Sequence, residues 1–296
     1  MGAEGAVMTR HPWLAALALV LPAAAASADP AAWRVAGRNG GEITLLGSMH
    51  VLRQSDHPLP AAVDALLERA DSIVMELDLD DVDPVAQQRL IVNTAVLPRG
   101  QTLVDVIDAD LYRDLERRAT ELGVQLELLE RFEPWFLSIT LLDQGLGKFG
   151  FEGQYGIEQY VLAQAQRSGK EIAGLETMEF QIGIFDSQPA SAQQAMLAQT
   201  LAELDEAETA MAEMAAAWRA GELEELSDEL LEEFADFPGL YETLVTKRNA
   251  AWVETLERLL RDGRRHLVVV GALHLVGDDS LIELLAARGH AVERVD

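Results

Sequence analysis

Short apolar runs alternate along this chain with longer stretches whose apolar positions recur at helical spacing. Trp33-Arg34-Val35 and Ile43-Thr44-Leu45-Leu46 flank Gly37-Arg38-Asn39-Gly40-Gly41, which predicts a β-hairpin. Residues 59–70 predict a helix that leads into a buried strand, Ser72-Ile73-Val74-Met75. Residues 84–95 and 108–122 predict helices, with a turn at Pro98-Arg99-Gly100 between them. Pro134 stands where a helix tolerates proline, ahead of an apolar helix from Trp135 to Leu142. Gly145 to Gly156 holds five glycines in twelve residues and reads as a loop.

Beyond that loop the pattern predicts a helix over 157–168 and a strand at Glu171-Ile172-Ala173-Gly174-Leu175. From Ser191 to Glu233 the chain is rich in Ala, Glu and Leu, which predicts a pair of amphipathic helices with an acidic outer face. Pro238 opens a further helix to about Leu260. His266 to Val270 is a buried strand, residues 279–288 a helix with Gly289 suited to its C-cap, and Ala291 to Val295 a closing strand. Strands alternate with helices at both ends, so the fold expected is α/β. It has a central mixed, largely parallel sheet flanked by helices, with a long helical insertion in the middle. The expected organisation is one domain over 29–296, with a helical subdomain at about 191–261.

The first residues change the address rather than the fold. Thr9-Arg10-His11 is weakly basic, Trp13 to Ala26 is apolar apart from Pro22, and Ala26-Ser27-Ala28 is a small-x-small site. Residues 1–28 therefore read as a secretory signal peptide cleaved after Ala28. The apolar run is too short for a bilayer of roughly 30 Å, and Pro22 argues against a retained anchor. No later apolar run reaches spanning length. The mature protein is expected not to span a membrane and to work in the periplasm.

Composition narrows the chemistry. With no cysteine among 296 residues, disulfides, thiol nucleophiles and cysteine metal ligands are excluded. A formal net charge of −27 disfavours nucleic acid and anionic lipid as partners, and suits a cationic partner or a divalent metal.

Four apolar strands each end at or near a histidine or a glutamate: His50, Glu76, Glu176 and His274. Carboxyl ends of strands line the active crevice of open α/β sheets. Two imidazoles and two carboxylates meeting there suit a divalent metal. Gly47-Ser48-Met49-His50 and Gly271-Ala272-Leu273-His274 share one form, Gly-x-x-His after an apolar strand. A structural salt bridge is the competing reading for Glu76, a helix start for the stretch at Glu176, and loop bracing for the two histidines. Arg248 suits either an oxyanion partner or an ordinary surface pair, and Asn249 a loop hydrogen bond. His57 reads as a rim residue, and His266 and His290 as structural. Trp33, Trp135, Trp218 and Trp252 read as packing residues.

These residues also carry a resemblance. Leu45-Leu46-Gly47-Ser48-Met49-His50-Val51, Val74-Met75-Glu76-Leu77-Asp78, Pro134-Trp135, Gly174-Leu175-Glu176-Thr177, Arg248-Asn249 and Gly271-Ala272-Leu273-His274 occur in this order. Together they resemble the TraB/GumN family, whose animal relatives are the TIKI metalloproteases. The resemblance implies a fold related to the erythromycin-esterase and ChaN-like groups. It implies a metal-dependent hydrolase, most simply a peptidase acting on exported peptides or proteins, with Mn or Co favoured and Zn possible. Carried over residue by residue, it makes His50, His274, Glu76 and Glu176 metal ligands. Glu76, Glu176, Arg248 and Asn249 would be catalytic or supporting. A haem- or metal-binding envelope protein without catalysis is the alternative. Gly156-Ile157-Glu158 stands where relatives usually have Gly-Val-Asp, which leaves the role of Glu158 open.

Overall fold

The computed structural model describes residues 29–295 except 82, 224–230, 232, 233 and 236. The expected signal peptide lies outside the described residues, as does most of the acidic stretch 224–233. Among the described residues no helix is long and apolar enough to cross a membrane.

Six strands form one sheet: β1 (Ala32–Ala36), β2 (Glu42–Ser48), β3 (Ser72–Leu77), β4 (Glu171–Glu176), β5 (Arg265–Gly271) and β6 (Val292–Val295). Their order is β4-β3-β5-β2-β1-β6. The predicted hairpin is present as β1 and β2, paired antiparallel with Val35 opposite Ile43. β2, β5, β3 and β4 run parallel, while β6 pairs antiparallel with β1, so the sheet is mixed and largely parallel. β2 and β5 are buried along almost their whole length, as parallel strands covered on both faces must be.

The helices are α1 (Ala61–Arg69), α2 (Pro84–Thr94), α3 (Leu103–Val106), α4 (Ala109–Leu122), α5 (Pro134–Lys148) and α6 (Ile157–Ser168). They continue with α7 (Met178–Asp186), α8 (Ala190–Glu203), α9 (Ala207–Ala220), α10 (Lys247–Leu259) and α11 (Leu281–Ala287). A short turn at Pro238–Tyr241 and a π-helical stretch at Glu242–Thr246 lead into α10. Residues from α1, α6, α9, α10 and α11 join the strands in the main core. A second core is purely helical: Leu103, Leu111, Leu115, Leu137 and Leu141 pack with Leu197, Leu201 and Leu204. The helical layer therefore draws on α3–α5, ahead of β4, as well as on α8 from the expected 191–261 stretch.

One expectation is corrected. Residues 145–148 belong to α5, not to a loop. Gly145 is buried there, and a Cβ on it would lie 2.9 Å from a Leu204 methyl. Close packing of Gly145 against the chain just after α8 helps hold this turn in a helix that propensity alone disfavours. The irregular segment begins only at Phe149.

Candidate active site at the carboxyl ends of the strands

Register brings the predicted residues together. Ser48 of β2 lies opposite Gly271 of β5, so the two Gly-x-x-His motifs leave the sheet side by side. Leu77 of β3 lies opposite Glu176 of β4, which sets Glu76 and Glu176 at the same edge. His274 follows β5 in one short helical turn, Ala272–Leu275. From the helical layer, the Trp218 indole donates to the Gly47 carbonyl at 2.7 Å and pins the start of the first motif.

α10 supplies the centre of the cluster through one turn, Arg248, Asn249 and Trp252. The Arg248 guanidinium is buried. Its Nε donates to both oxygens of Glu176 at 3.0 Å. Its Nη2 donates to Glu176 Oε2 at 2.8 Å and to Glu76 Oε2 at 2.5 Å. Its Nη1 donates to the Leu244 carbonyl and to His274 Nε2, at 3.0 and 3.1 Å. Trp252 Nε1 adds a donor to Glu176 Oε1 at 2.9 Å, and Gln181 Nε2 bridges Glu76 and Glu176 at 3.1 and 3.3 Å.

Because Arg248 can only donate, His274 Nε2 accepts, and the ring's proton sits on Nδ1. That Nδ1–H donates to Asn249 Oδ1 at 2.7 Å, and Asn249 Nδ2 returns donors to the His274 and Asp279 carbonyls. Burial pushes the His274 imidazole down to about 3, and the Arg248 charge works in the same direction, so the ring is neutral.

His50 lies on the open side. Its Nδ1 meets Glu158 Oε1 at 2.6 Å, and Ser48 Oγ donates to the same oxygen at 2.5 Å. Glu158 stands in the first turn of α6, whose start is docked on this loop by the Ile157 N–H to Met49 carbonyl bond of 3.0 Å. Gly156 permits that approach, since a Cβ there would lie 2.2 Å from the His50 carbonyl oxygen. The Glu158 charge lifts the His50 imidazole to about 9. Burial opposes ionisation of Glu158, and the His50 charge with the His50 and Ser48 hydrogen bonds outweighs it, so its carboxyl is held below the usual range.

The reactive-looking atoms converge on Gly271. A Cβ built there would lie 3.3 Å from Glu76 Oε1, 3.6 Å from His50 Nε2 and 3.7 Å from the His274 ring. The Gly271 N–H donates to Glu76 Oε1 at 2.8 Å. Burial opposes ionisation of Glu76, and the Arg248 and His50 charges with the Gly271 N–H bond outweigh it and hold the carboxyl below its usual range. His50 and Glu76 line an open cavity of about 540 Å³ with Met75, Leu77, Leu79, Glu158 and Gln181. Arg248, Glu176 and His274 do not line it; they lie behind Glu76.

All six predicted residues thus fall in one connected cluster, in two tiers. His50 and Glu76 face the cavity. Glu176, Arg248, Asn249 and His274 hydrogen-bond to one another beneath. Among the described residues, no group of three or more histidine, aspartate or glutamate side chains is arranged to hold a metal ion. Both Glu176 oxygens already accept from two or more N–H groups of Arg248, Trp252 and Gln181, and His274 Nε2 is taken by Arg248. The atoms left for a cation are His50 Nε2 and Glu76 Oε1. Among the described residues the other histidines brace the fold: His57 bonds the Tyr155 carbonyl, His266 bonds Ser72 and Asp262, and His290 bonds Glu257. The sequence did not single out Ser48, Gln181 or the polar edge of Trp252, and left Glu158 open.

A model described as the TraB/PrgY/gumN family matches residues 31–294. Proteins described as "Uncharacterized protein YbaP", from Escherichia coli (strain K12) and Shigella flexneri, are each 28% identical to this chain over 242 residues. The matched region covers 81% of this chain and 86% of each relative. No solved structure matches.

Proposed function

Since the chain belongs to the TraB/PrgY/gumN family and its strand-end residues meet in one cluster, we propose that it is a metal-dependent hydrolase, a peptidase acting on exported peptides or proteins. The observation that carries this reading is the convergence of His50 Nε2 and Glu76 Oε1 over Gly271, at the floor of a cavity large enough for a substrate segment.

The fit of a divalent ion rests on donors and charge. His50 Nε2 has no hydrogen-bond partner among the described residues, and its Nδ1 rests on a carboxylate, the arrangement that orients a metal-binding imidazole. Holding a metal displaces the proton that Glu158 favours on His50, and three carboxylates (Glu76, Glu158 and Glu176) then face one guanidinium, Arg248, because His274 is neutral. That leaves two negative charges in surplus, which one divalent ion balances. His50 and Glu76 would hold it, with water completing the shell, and Glu176 and His274 would not. Mn²⁺, Co²⁺ or Zn²⁺ would lower the pKa of a bound water and polarise the substrate carbonyl.

The chain's own groups divide the remaining work. Glu158 keeps the Nε2 edge of His50 toward the cavity. Arg248 and the Gly271 N–H hold Glu76 ionised and aimed. With Glu76 Oε1 on the ion and Oε2 held by Arg248 and Gln181, the proton of the attacking water would leave through solvent in the cavity, and the departing nitrogen would take one up from it as the C–N bond breaks. Arg248 acts by positioning Glu76, since it does not line the cavity. The test is metal analysis together with peptide hydrolysis by the wild-type, His50→Ala and Glu76→Gln proteins. Each variant is expected to lose bound metal and about 10²-fold in rate, because the ion would supply the activated water. Unchanged metal content and activity in both variants would sink the proposal.

A further inference from the structure

The cavity over His50 and Glu76 shares lining residues with two others. At the β3 end it meets a second cavity of about 380 Å³, and the two share Leu77. On the other side it shares Gly153 and Gln154 with a third, of about 650 Å³. The run Glu76-Leu77-Asp78 forms the divide, with Glu76 lining the first cavity and Asp78 the second. A groove of this form suits an extended chain rather than a compact small molecule.

The floor and the rim differ in chemistry. Met75, Leu77 and Leu79 make the first cavity largely apolar. The acidic residues lining the second are Asp78, Asp81, Asp83, Glu179 and Glu176; Glu176 is already paired with Arg248, and the described residues lining these two cavities include no lysine or arginine. Phe180, half exposed, sits between Glu179 of the second cavity and Gln181 of the first. An apolar pocket beside an uncompensated acidic one matches a peptide carrying an apolar residue next to a basic one. An acidic peptide would meet like charge along the same path.

We propose that this groove binds extended cationic peptides, placing an apolar side chain against Met75, Leu77 and Leu79 and a lysine or arginine among Asp78, Asp81 and Glu179. This deepens the hydrolase reading and rests on it only for the fate of the peptide. Asp83 is left out because its carboxylate caps α2 through the Val85 and Ala86 N–H groups.

The test uses two labelled peptides that differ only in carrying lysines or glutamates beside a leucine. Binding to the intact protein is read by fluorescence anisotropy, and cleavage by mass spectrometry. The lysine peptide is expected to bind about three- to tenfold more tightly, the scale of a few solvent-exposed ion pairs. The preference should shrink to under about twofold in an Asp81→Asn/Glu179→Gln protein, and should fade in salt of about 0.5 M. Equal binding of the two peptides overturns the proposal. So does a preference that survives the double substitution, because the overall negative charge of the chain then accounts for it. Charge-selective binding without cleavage supports the groove and counts against the hydrolase. Cleavage without charge preference does the reverse.

Discussion

Replacing Arg248 with methionine keeps an unbranched apolar stem and removes the guanidinium and its charge. The guanidinium and its two carboxylate partners are nearly sealed, with side-chain exposures of 6% for Arg248, 13% for Glu76 and 7% for Glu176. Breaking a buried pair by removing one partner typically costs about 3–5 kcal/mol, because the partner is left charged and dry. The carboxylates have an escape, which is to take up a proton. From a reference pKa of 4.5, protonating one at pH 7 costs roughly 3 kcal/mol at 1.36 kcal/mol per unit. The two routes agree on a deficit of about 3–5 kcal/mol at neutral pH, and the second makes it pH-dependent. At about pH 5 the protonation cost drops below 1 kcal/mol per carboxylate, so the deficit should shrink by about half or more. Urea denaturation of wild-type and Arg248→Met proteins at the two pH values measures this. Adding Glu176→Gln to Arg248→Met should recover about 1–2 kcal/mol, since it removes one stranded charge. A deficit under about 1 kcal/mol, or one that is flat in pH, would mean that the ion-pair cluster does not support the fold as described.

Gly156→Ala puts a methyl 2.2 Å from the His50 carbonyl oxygen; the loop must move, so bound metal and activity should fall more than the denaturation midpoint does. Trp218→Phe strands the Gly47 carbonyl, bonded at 2.7 Å in the wild type. A loss of about 1–3 kcal/mol in urea unfolding is expected, and a smaller one would argue that water reaches this carbonyl. For pH, His274 is neutral in the fold, with its pKa depressed to about 3. The unfolded chain therefore binds more protons between about pH 3 and 6.5, and stability falls as pH falls through that window. At about pH 4.5 the loss from this residue is about 3 kcal/mol. A His274→Gln protein should show a flatter acid limb in the same titration, and an identical limb would refute the assignment.

The parts of this site legible in the sequence are those that local pattern controls. A buried parallel strand is an apolar run, and Gly-x-x-His or a lone glutamate after such a run marks where the chain leaves the sheet. His50, Glu76, Glu176 and His274 were found in that way. Their division into two tiers was not legible, because it depends on which residue Arg248 reaches. Arg248 lies 72 positions from Glu176 and 172 from Glu76 along the chain. Sequence also presents Trp252 as core and says nothing of its indole N–H, which meets Glu176 across the sheet edge. The glycine count hid the last turn of α5, since only packing against Leu204 shows why that stretch stays helical.

Glu158 is the instructive case. Its departure from the Gly-Val-Asp that the family resemblance implies leaves its role open when only the motif is visible. In the fold the segment does two things that a motif cannot express. Gly156 lets α6 begin against the His50 carbonyl, and the first turn of α6 then points an acid at His50 Nδ1. What the position requires is a carboxylate on a helix start that touches this loop. The extra methylene of glutamate meets that requirement at 2.6 Å, so the substitution keeps the charge and the hydrogen bond on which the orientation of His50 depends. The negative surplus that suits the cluster to a divalent ion depends on the same carboxylate. Without Glu158 the count falls to two carboxylates against Arg248, and the electrostatic case for a doubly charged ion is halved. A Glu158→Gln protein should therefore bind Mn²⁺ about 10- to 100-fold more weakly, while keeping its urea midpoint within about 1 kcal/mol. Unaltered Mn²⁺ affinity would refute both the charge count and the orienting role.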